Sequence, residues 1–131
     1  MIRRLLGPLL TIIWASGCAS TSTPKYLEED CQLYTNLEAV EVNPAGAMDR
    51  RLRLKVAFRV CPPVDGLVEM RRKHIELKHA LISHLSSKTE EELEDTHRAE
   101  KLRREIIVLT NEKVLRNSRV IDVLITGMLL E

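Results

Sequence analysis

The sequence predicts an α+β fold in the order β-β-α-α-β, with helices packed on a small antiparallel or mixed sheet. Three segments support this prediction. Residues 51–60 alternate polar and apolar side chains, which is typical of an antiparallel strand with one solvated face. Residues 67–85 repeat apolar side chains with helical periodicity. Residues 120–130 are apolar and rich in β-branched side chains, as expected for a buried strand that closes the sheet.

Length and composition place the chain among globular proteins of one domain. It has 131 residues, of which 44% are hydrophobic and 30% are charged. A formal net charge of +1 argues against nucleic-acid binding, which normally needs a clear basic excess. One Trp, two Tyr and one Phe leave few rings on which bases or sugars could stack. The core must therefore be built from Leu, Val and Ile.

The first 17 residues have the pattern of a signal peptide. Arg3 and Arg4 supply a positive start, and residues 5–15 are largely apolar. An apolar helix of about 11 residues reaches only ~16 Å, whereas the hydrocarbon core of a bilayer is ~30 Å thick. Residues 1–17 are therefore expected to direct secretion rather than to span the membrane.

The sequence Ala15-Ser16-Gly17-Cys18 resembles the bacterial lipobox, although Ala15 stands where an aliphatic residue such as Leu is usual. The resemblance implies that Cys18 becomes the lipid-modified first residue of the mature protein, and its several acyl chains would give stable anchoring. Ala19 stands where an Asp would imply retention at the inner membrane, so it favours the outer membrane. The alternatives are an ordinary signal peptide cut elsewhere and an uncut, weak anchor.

The mature chain is expected to have two parts. Residues 18–25 are small and polar and read as a flexible tether that follows the lipidated Cys18. Residues 26–131 are expected to form the folded domain. Loss of residues 1–17 removes two arginines, which leaves 18 basic and 19 acidic residues and a formal charge of −1. This balance gives no attraction to nucleic acid.

The two predicted strands differ in the clarity of their pattern. Residues 34–42 form the first candidate strand, and residues 43–46, Asn-Pro-Ala-Gly, are a clear turn signal. In the second strand, residues 51–60, the even-numbered positions are apolar and the odd-numbered positions carry the charge. One interpretation of this charge is a solvated face balanced by nearby acids. The other is a docking surface for an acidic partner or for residues 90–95 of a neighbouring copy. The candidate partner-binding residues are Arg51, Arg53, Lys55 and Arg59.

Two helices are predicted between the second and third strands. A Cys-Pro-Pro sequence at 61–63 ends the second strand, and Asp65 is expected to cap the first helix. Residues 89–92, Thr-Glu-Glu-Glu, have the form of a capping box at the start of the second helix. The apolar residues of the second helix are Leu102, Ile106 and Leu109.

Two cysteines remain when Cys18 is lipidated, and the periplasm is an oxidising compartment. A hairpin centred on Gly46 pairs residues whose numbers sum to 92, and Cys31 and Cys61 meet this condition. If both strands extend that far without a bulge, the two cysteines are close enough for a disulfide. The alternative is two unrelated thiols.

No catalytic residue, metal site or cofactor is predicted. His74, His79 and His84 follow one another at steps of five residues, so their side chains point to different sides of a helix. His97 is isolated in the sequence. No nucleophile elbow or Gly-rich phosphate loop occurs among the five glycines. We therefore expect a protein that is not an enzyme.

Three stretches resemble the FliL family of flagellar basal body-associated proteins, and the resemblance covers residues 33–131. Residues 81–89, Leu-Ile-Ser-His-Leu-Ser-Ser-Lys-Thr, are similar to a family helix that ends in Leu-Ser-Ser-Lys-Thr. Residues 101–106 with Asn111 are similar to the next helix of the family, and residues 120–126 are similar to its last strand. The aromatic residues that the family tends to have near its last strand are replaced here by Leu124, Ile125 and Met128.

The resemblance implies a non-enzymatic periplasmic domain of stomatin-like fold, which oligomerises around the flagellar stator and supports torque. The family usually has an N-terminal transmembrane helix, and the lipobox replaces it here. We therefore expect a lipid-anchored protein with stator or basal-body partners, membrane contact through the lipid, and homo-oligomers. The alternative is a general outer-membrane structural or assembly lipoprotein unrelated to motility.

Overall fold

The computed structural model describes residues 31–131. The predicted signal peptide (residues 1–17), the predicted lipidation site Cys18 and the predicted tether (residues 18–25) lie outside the described residues. The class is α+β as predicted, but the first strand and both helices are each divided in two. The elements are β1 (Gln32–Tyr34), β2 (Val40–Val42), β3 (Leu52–Cys61), α1 (Pro63–Arg72), α2 (His74–Ser86), α3 (Glu90–Glu94), α4 (Arg98–Leu109), a π-helical turn (Thr110–Val114) and β4 (Arg119–Leu130).

β3 is the centre of a four-stranded antiparallel sheet. β4 pairs with β3 along its whole length on one side, so β1 and β2 share the other side. The residue numbers of each β1–β3 pair sum to 92, as for Gln32 and Val60, whereas those of the β2–β3 pairs sum to 94, as for Val40 and Leu54. The prediction of one strand over 34–42 is therefore wrong, because the chain leaves the sheet between two short strands and returns in a shifted register.

A disulfide joins Cys31, which immediately precedes β1, to Cys61 at the end of β3. The Cα atoms of the two cysteines are 4.5 Å apart. This proximity follows from the register, because continuing the ladder that pairs Gln32 with Val60 sets Cys31 opposite Cys61. The bond fastens the first described residue of the chain to the central strand.

The helices cover one face of the sheet and bury the apolar side of β3. The even-numbered positions from Leu52 to Val60 are at most 2% exposed. They belong to one hydrophobic cluster with side chains from the helices and from β4. Full burial of each large aliphatic side chain contributes about 1.5–3 kcal/mol, so this cluster holds the two layers together. Its helical members include Met70, Leu77, Leu81, Leu93 and Ile106.

The starts of the helices follow from local chemistry that the sequence revealed only in part. α1 begins at Pro63 behind Pro62, without a side-chain cap, and Asp65 lies in its first turn. The prediction that Asp65 caps this helix is therefore wrong, because proline already provides the helical φ at the first position. Thr89 caps α3 as predicted: its Oγ1 accepts a hydrogen bond from the Glu92 N–H at 3.2 Å.

Each predicted helix is interrupted once. Between α1 and α2 the Lys73 N–H still donates to the Glu69 carbonyl at 3.0 Å, which closes the last turn of α1 before the break. Asp95 separates α3 from α4, and its carboxylate accepts the His97 N–H at 3.0 Å. That bond, with a contact to Lys101, lowers the pKa of Asp95 to about 2. The Asp95 carboxylate thus satisfies a backbone donor at the start of α4.

The closing strand β4 is less buried than the sequence predicts. Val120 and Val123 are fully buried, but Leu124 is 38% and Leu129 is 52% exposed. The reason is the position of β4: among the described strands it pairs with β3 alone, so it forms an edge of the sheet. α4 contacts this edge strand, and the face of the sheet away from the helices leaves part of β4 accessible.

Among the described glycines, Gly66 on α1 leaves the least space for a side chain, because it packs against β3. A Cβ at Gly66 would lie 2.8 Å from Val60 Cγ2. We therefore expect Gly66→Ala to lower the free energy of unfolding by about 1–3 kcal/mol, despite the higher helix propensity of alanine. Gly127→Ala is the control, because its Cβ would meet Lys55 Cβ at an ordinary 3.6 Å. Urea denaturation measures both effects, and an unchanged midpoint for Gly66→Ala would contradict the prediction.

Candidate interaction surface

β3 presents its basic side chains on the face of the sheet that the helices leave uncovered, here termed the open face. Arg53, Lys55 and Arg59 occupy the positions between the buried residues of β3. Arg51 directly precedes the strand, and its backbone exchanges hydrogen bonds of 2.9 and 3.1 Å with Glu131. The four residues predicted to bind a partner therefore follow one strand along one face.

The charge of the open face is only partly balanced within the chain. Arg51 and Arg53 each lie 3.7 Å from the carboxylate of Glu41 on β2. Both arginine side chains are more than 60% exposed, at 64% and 62%, so these ion pairs are weak, at about 0–1 kcal/mol each. Two cations share one ion-pair acid here, and Glu131, opposite Arg51 across the strands, is a further exposed acid at this end.

Lys55 and Arg59 are held more closely against the sheet and are half-buried. The Lys55 ammonium donates a hydrogen bond to the Leu37 carbonyl, in the segment between β1 and β2. Arg59 lies opposite Asp122 of β4 in the strand register. The four basic side chains Arg51, Arg53, Lys55 and Arg59 are here termed the basic strip. Its accessible end is therefore Arg51 and Arg53.

Exposed leucines lie beside the basic strip. Leu33 of β1 is paired with Arg59, and Leu129 of β4 is paired with Arg53. Leu33 is 41% exposed, Leu129 is 52% exposed and Leu124 is 38% exposed. The sequence pattern did not assign these leucines to a site, because only the strand register sets them next to the arginines. Exposed apolar side chains beside unbalanced charge are typical of a protein-binding surface.

Residues 90–95, the acidic segment predicted as one possible complement to the basic strip, are largely neutralised by their own chain. Arg50 contacts Glu90 and also Glu94, the latter at 3.4 Å. Elsewhere in the segment, Lys88 pairs with Glu92 at 3.4 Å and Lys101 pairs with Asp95 at 2.6 Å. These intramolecular pairs reduce the charge that the segment can offer to a neighbouring copy.

The sequence patterns do not predict a polar cluster that lies between α2 and α4. Glu105 on α4 accepts from His84 Nε2 at 2.7 Å, and Lys88 Nζ lies 2.8 Å from the same carboxylate. Burial favours the neutral form of Glu105, but the bonds from Lys88 and His84 outweigh it and lower the pKa of the carboxyl. No group of three or more metal-binding side chains is gathered within residues 31–131. The ion pairs of Glu105 with His84 and Lys88 connect α4 to the end of α2 and the segment that follows it.

The disulfide cysteines Cys31 and Cys61 lie at the end of the sheet where α1 begins. The proposed lipidation residue, Cys18, precedes the described part of the chain. Within residues 31–131 no helix combines the length and apolar character that crossing a membrane requires.

Fold and surface together define a small α+β domain with one helix-covered face and one open, basic and apolar face. A family model described as flagellar basal body-associated protein FliL matches residues 34–130, from the end of β1 to the end of β4. The chain belongs to the FliL family, which confirms the resemblance found in the sequence. A comparison with curated proteins finds no match. The family assigns the protein a role associated with the flagellar basal body.

Proposed function

We propose that this protein is a non-enzymatic, lipid-anchored protein that faces the periplasm, binds components of the flagellar motor and supports stator function. The family match over residues 34–130 carries the proposal, because it covers nearly the whole described fold. The open face provides the binding surface. Self-association at the motor is part of the proposal, and the same surface is available for it.

The sequence around Cys18 supports the proposed lipid anchor, and the disulfide supports the proposed location in the periplasm. Disulfides persist in oxidising compartments such as the periplasm, and Cys31 and Cys61 are bonded. Cys18→Ala is expected to release the protein from the membrane fraction, because the acyl chains are its attachment. Fractionation of cell envelopes measures this. Unchanged membrane association of Cys18→Ala would contradict the anchor.

The chemistry of the open face defines the partner that it fits. Two exposed arginines with one shared acid attract an acidic surface, and opposite charges across an interface raise the association rate and fix the orientation. The neighbouring leucines would then be buried in the complex, which adds affinity without charge. We therefore propose a partner with an acidic strip next to an apolar one.

Reversal of the charge at this surface should weaken the complex. The double variant Arg51→Glu with Arg53→Glu is expected to reduce partner capture about tenfold or more and to slow swimming, while flagella still assemble. The control carries the same charge change elsewhere: Arg104→Glu with Lys113→Glu, at two exposed positions outside the open face. Swimming assays and flagellar counts measure both. Equal swimming of the two double variants would contradict the role of the open face.

The partner itself is identified by photo-crosslinking in living cells. A photoreactive side chain replaces Arg53, and the adducts are purified and identified by mass spectrometry. Stator or basal-body proteins among the adducts are the expected result. Adducts that contain only envelope lipoproteins and outer-membrane components would overturn the motility role and support a general structural or assembly role instead.

A further inference from the structure

α1 and α2 carry a second apolar stripe on the side away from the core. Val64 is 67%, Val68 is 51% and Ile75 is 70% exposed. Val64 and Val68 are four residues apart and share one face of α1, and Ile75 lies in the first turn of α2. Lys73 separates the two helices, and its carbonyl accepts the Leu77 N–H at 2.9 Å in the first turn of α2. These three side chains, here termed the outward stripe, have no apolar cover within the described residues.

Two arginines accompany the outward stripe. Arg71 falls on the same face of α1, three residues after Val68, and Arg72 lies beside it; both are exposed. Neither forms an ion pair within residues 31–131. Aliphatic side chains flanked by unpaired arginine are the composition of a helix that lies on an anionic lipid surface.

The path of the chain brings this stripe next to the end that would be anchored. Cys31 is the first described residue, its disulfide holds it to Cys61, and α1 begins two residues later at Pro63. α1 also contacts β1. The 13 residue steps from Cys18 to Cys31 extend no further than about 45 Å, which sets the greatest distance of Cys31 from the anchor.

We propose that the outward stripe rests on the lipid surface to which the chain is anchored. Val64, Val68 and Ile75 enter the headgroup boundary, and Arg71 and Arg72 face lipid phosphates. α1 packs at the β1 edge of the sheet and α4 packs at the β4 edge, so α4 is directed away from the bilayer. The proposal rests on the lipid anchor of the proposed function and adds the orientation of the domain.

The test places a fluorescent side chain at position 68 or at position 108 of the full-length protein. Val108 on α4 is the matched control, because it is 52% exposed and Val68 is 51% exposed. The mature protein is reconstituted in vesicles of phosphatidylethanolamine with a minority of phosphatidylglycerol, some with brominated acyl chains. Quenching by the brominated lipid is expected to be at least roughly two-fold stronger at position 68 than at position 108.

Charge variants test in the same measurement whether Arg71 and Arg72 contribute to docking. Arg71→Glu with Arg72→Glu is expected to reduce the quenching at position 68, whereas Arg104→Glu with Lys113→Glu is expected to leave it unchanged. Equal quenching at positions 68 and 108 would overturn the docking. A fluorescence shift at position 68 that depends on protein concentration and not on brominated lipid would also overturn it, because a second copy would then cover the stripe.

The mass of the N-terminal peptide from the same sample shows separately whether Cys18 carries lipid. Lipid on Cys18 with equal quenching at both probes refutes the docking and leaves the anchor standing. A peptide without lipid, together with stronger quenching at position 68 after vesicles are added, refutes the anchor and leaves the docking standing.

Discussion

Replacement of both Cys31 and Cys61 by serine is expected to lower the free energy of unfolding by about 3–4 kcal/mol, because the disulfide closes a loop with a sequence separation of 30 residues. Loop closure lowers the conformational entropy of the unfolded chain, which stabilises the native state relative to the unfolded state. The local effect adds to this. β1 has only three residues, and the bond fastens its start to β3.

Urea denaturation with and without reductant measures the contribution of the disulfide. Reduced wild-type protein and the double serine variant should unfold at the same urea concentration, and oxidised wild-type protein at a higher one. Amide hydrogen exchange should also become faster in β1 of the variant than in α4. Two thiols that react with an alkylating agent before reduction would contradict the bond, and an unfolding midpoint that reductant does not move would contradict its contribution.

The parts of the fold that the sequence predicted correctly are those with long, regular patterns. Ten residues of β3 alternate between core and open face, and the register of a strand with one buried side cannot shift by one residue without exposing that side. The same alternation correctly set the basic side chains opposite the core. The capping box at Thr89 was equally readable, because its chemistry is local.

The parts that the sequence could not predict depend on pairing between distant segments. β1 and β2 have three residues each, too few for a periodic pattern, and only their contacts with β3 define them. The exposure of Leu124 and Leu129 was missed for the same reason: β4 has an apolar composition but an edge position. Those two leucines complete the open face, so the sequence predicted its charge and missed its apolar part.

The contacts of Glu69 are the clearest example of tertiary structure that no sequence pattern predicts. It lies on α1, is 2% exposed, and reaches the segment that leads into β4. Its carboxylate accepts the Arg116 N–H at 3.1 Å and the Asn117 N–H at 3.2 Å, and Lys73 Nζ lies 3.5 Å away. Lys73 in turn donates to the Val114 carbonyl at 2.9 Å. One buried ion pair thus satisfies the backbone between the π-helical turn and the closing strand.

Removal of this carboxylate should be severely destabilising. Glu69→Ala is expected to lower the free energy of unfolding by about 3–5 kcal/mol, because two backbone donors and the Lys73 ammonium lose a buried acceptor. Glu69→Gln should cost less, since the amide keeps one acceptor oxygen. Glu76→Ala, at an exposed acid on α2, is the control and should change stability by less than about 0.5 kcal/mol. Urea denaturation compares them, and equal midpoints for Glu69→Ala and Glu76→Ala would refute the role.

The pH dependence of stability distinguishes the contribution of the Glu69 charge from that of the shape of its side chain. Burial opposes ionisation of Glu69, but the N–H groups of Arg116 and Asn117 and the Lys73 ammonium outweigh it and lower the pKa of the carboxyl. The stabilisation is therefore complete above the unfolded pKa of about 4.3 and is lost as the pH falls through the lower folded value. Other paired acids also lose stabilisation in this range, so the difference between wild type and Glu69→Gln is the informative quantity. That difference should shrink steadily below about pH 4.3, and a difference that stays constant down to acid unfolding would mean that ionisation of the carboxyl does not add to stability.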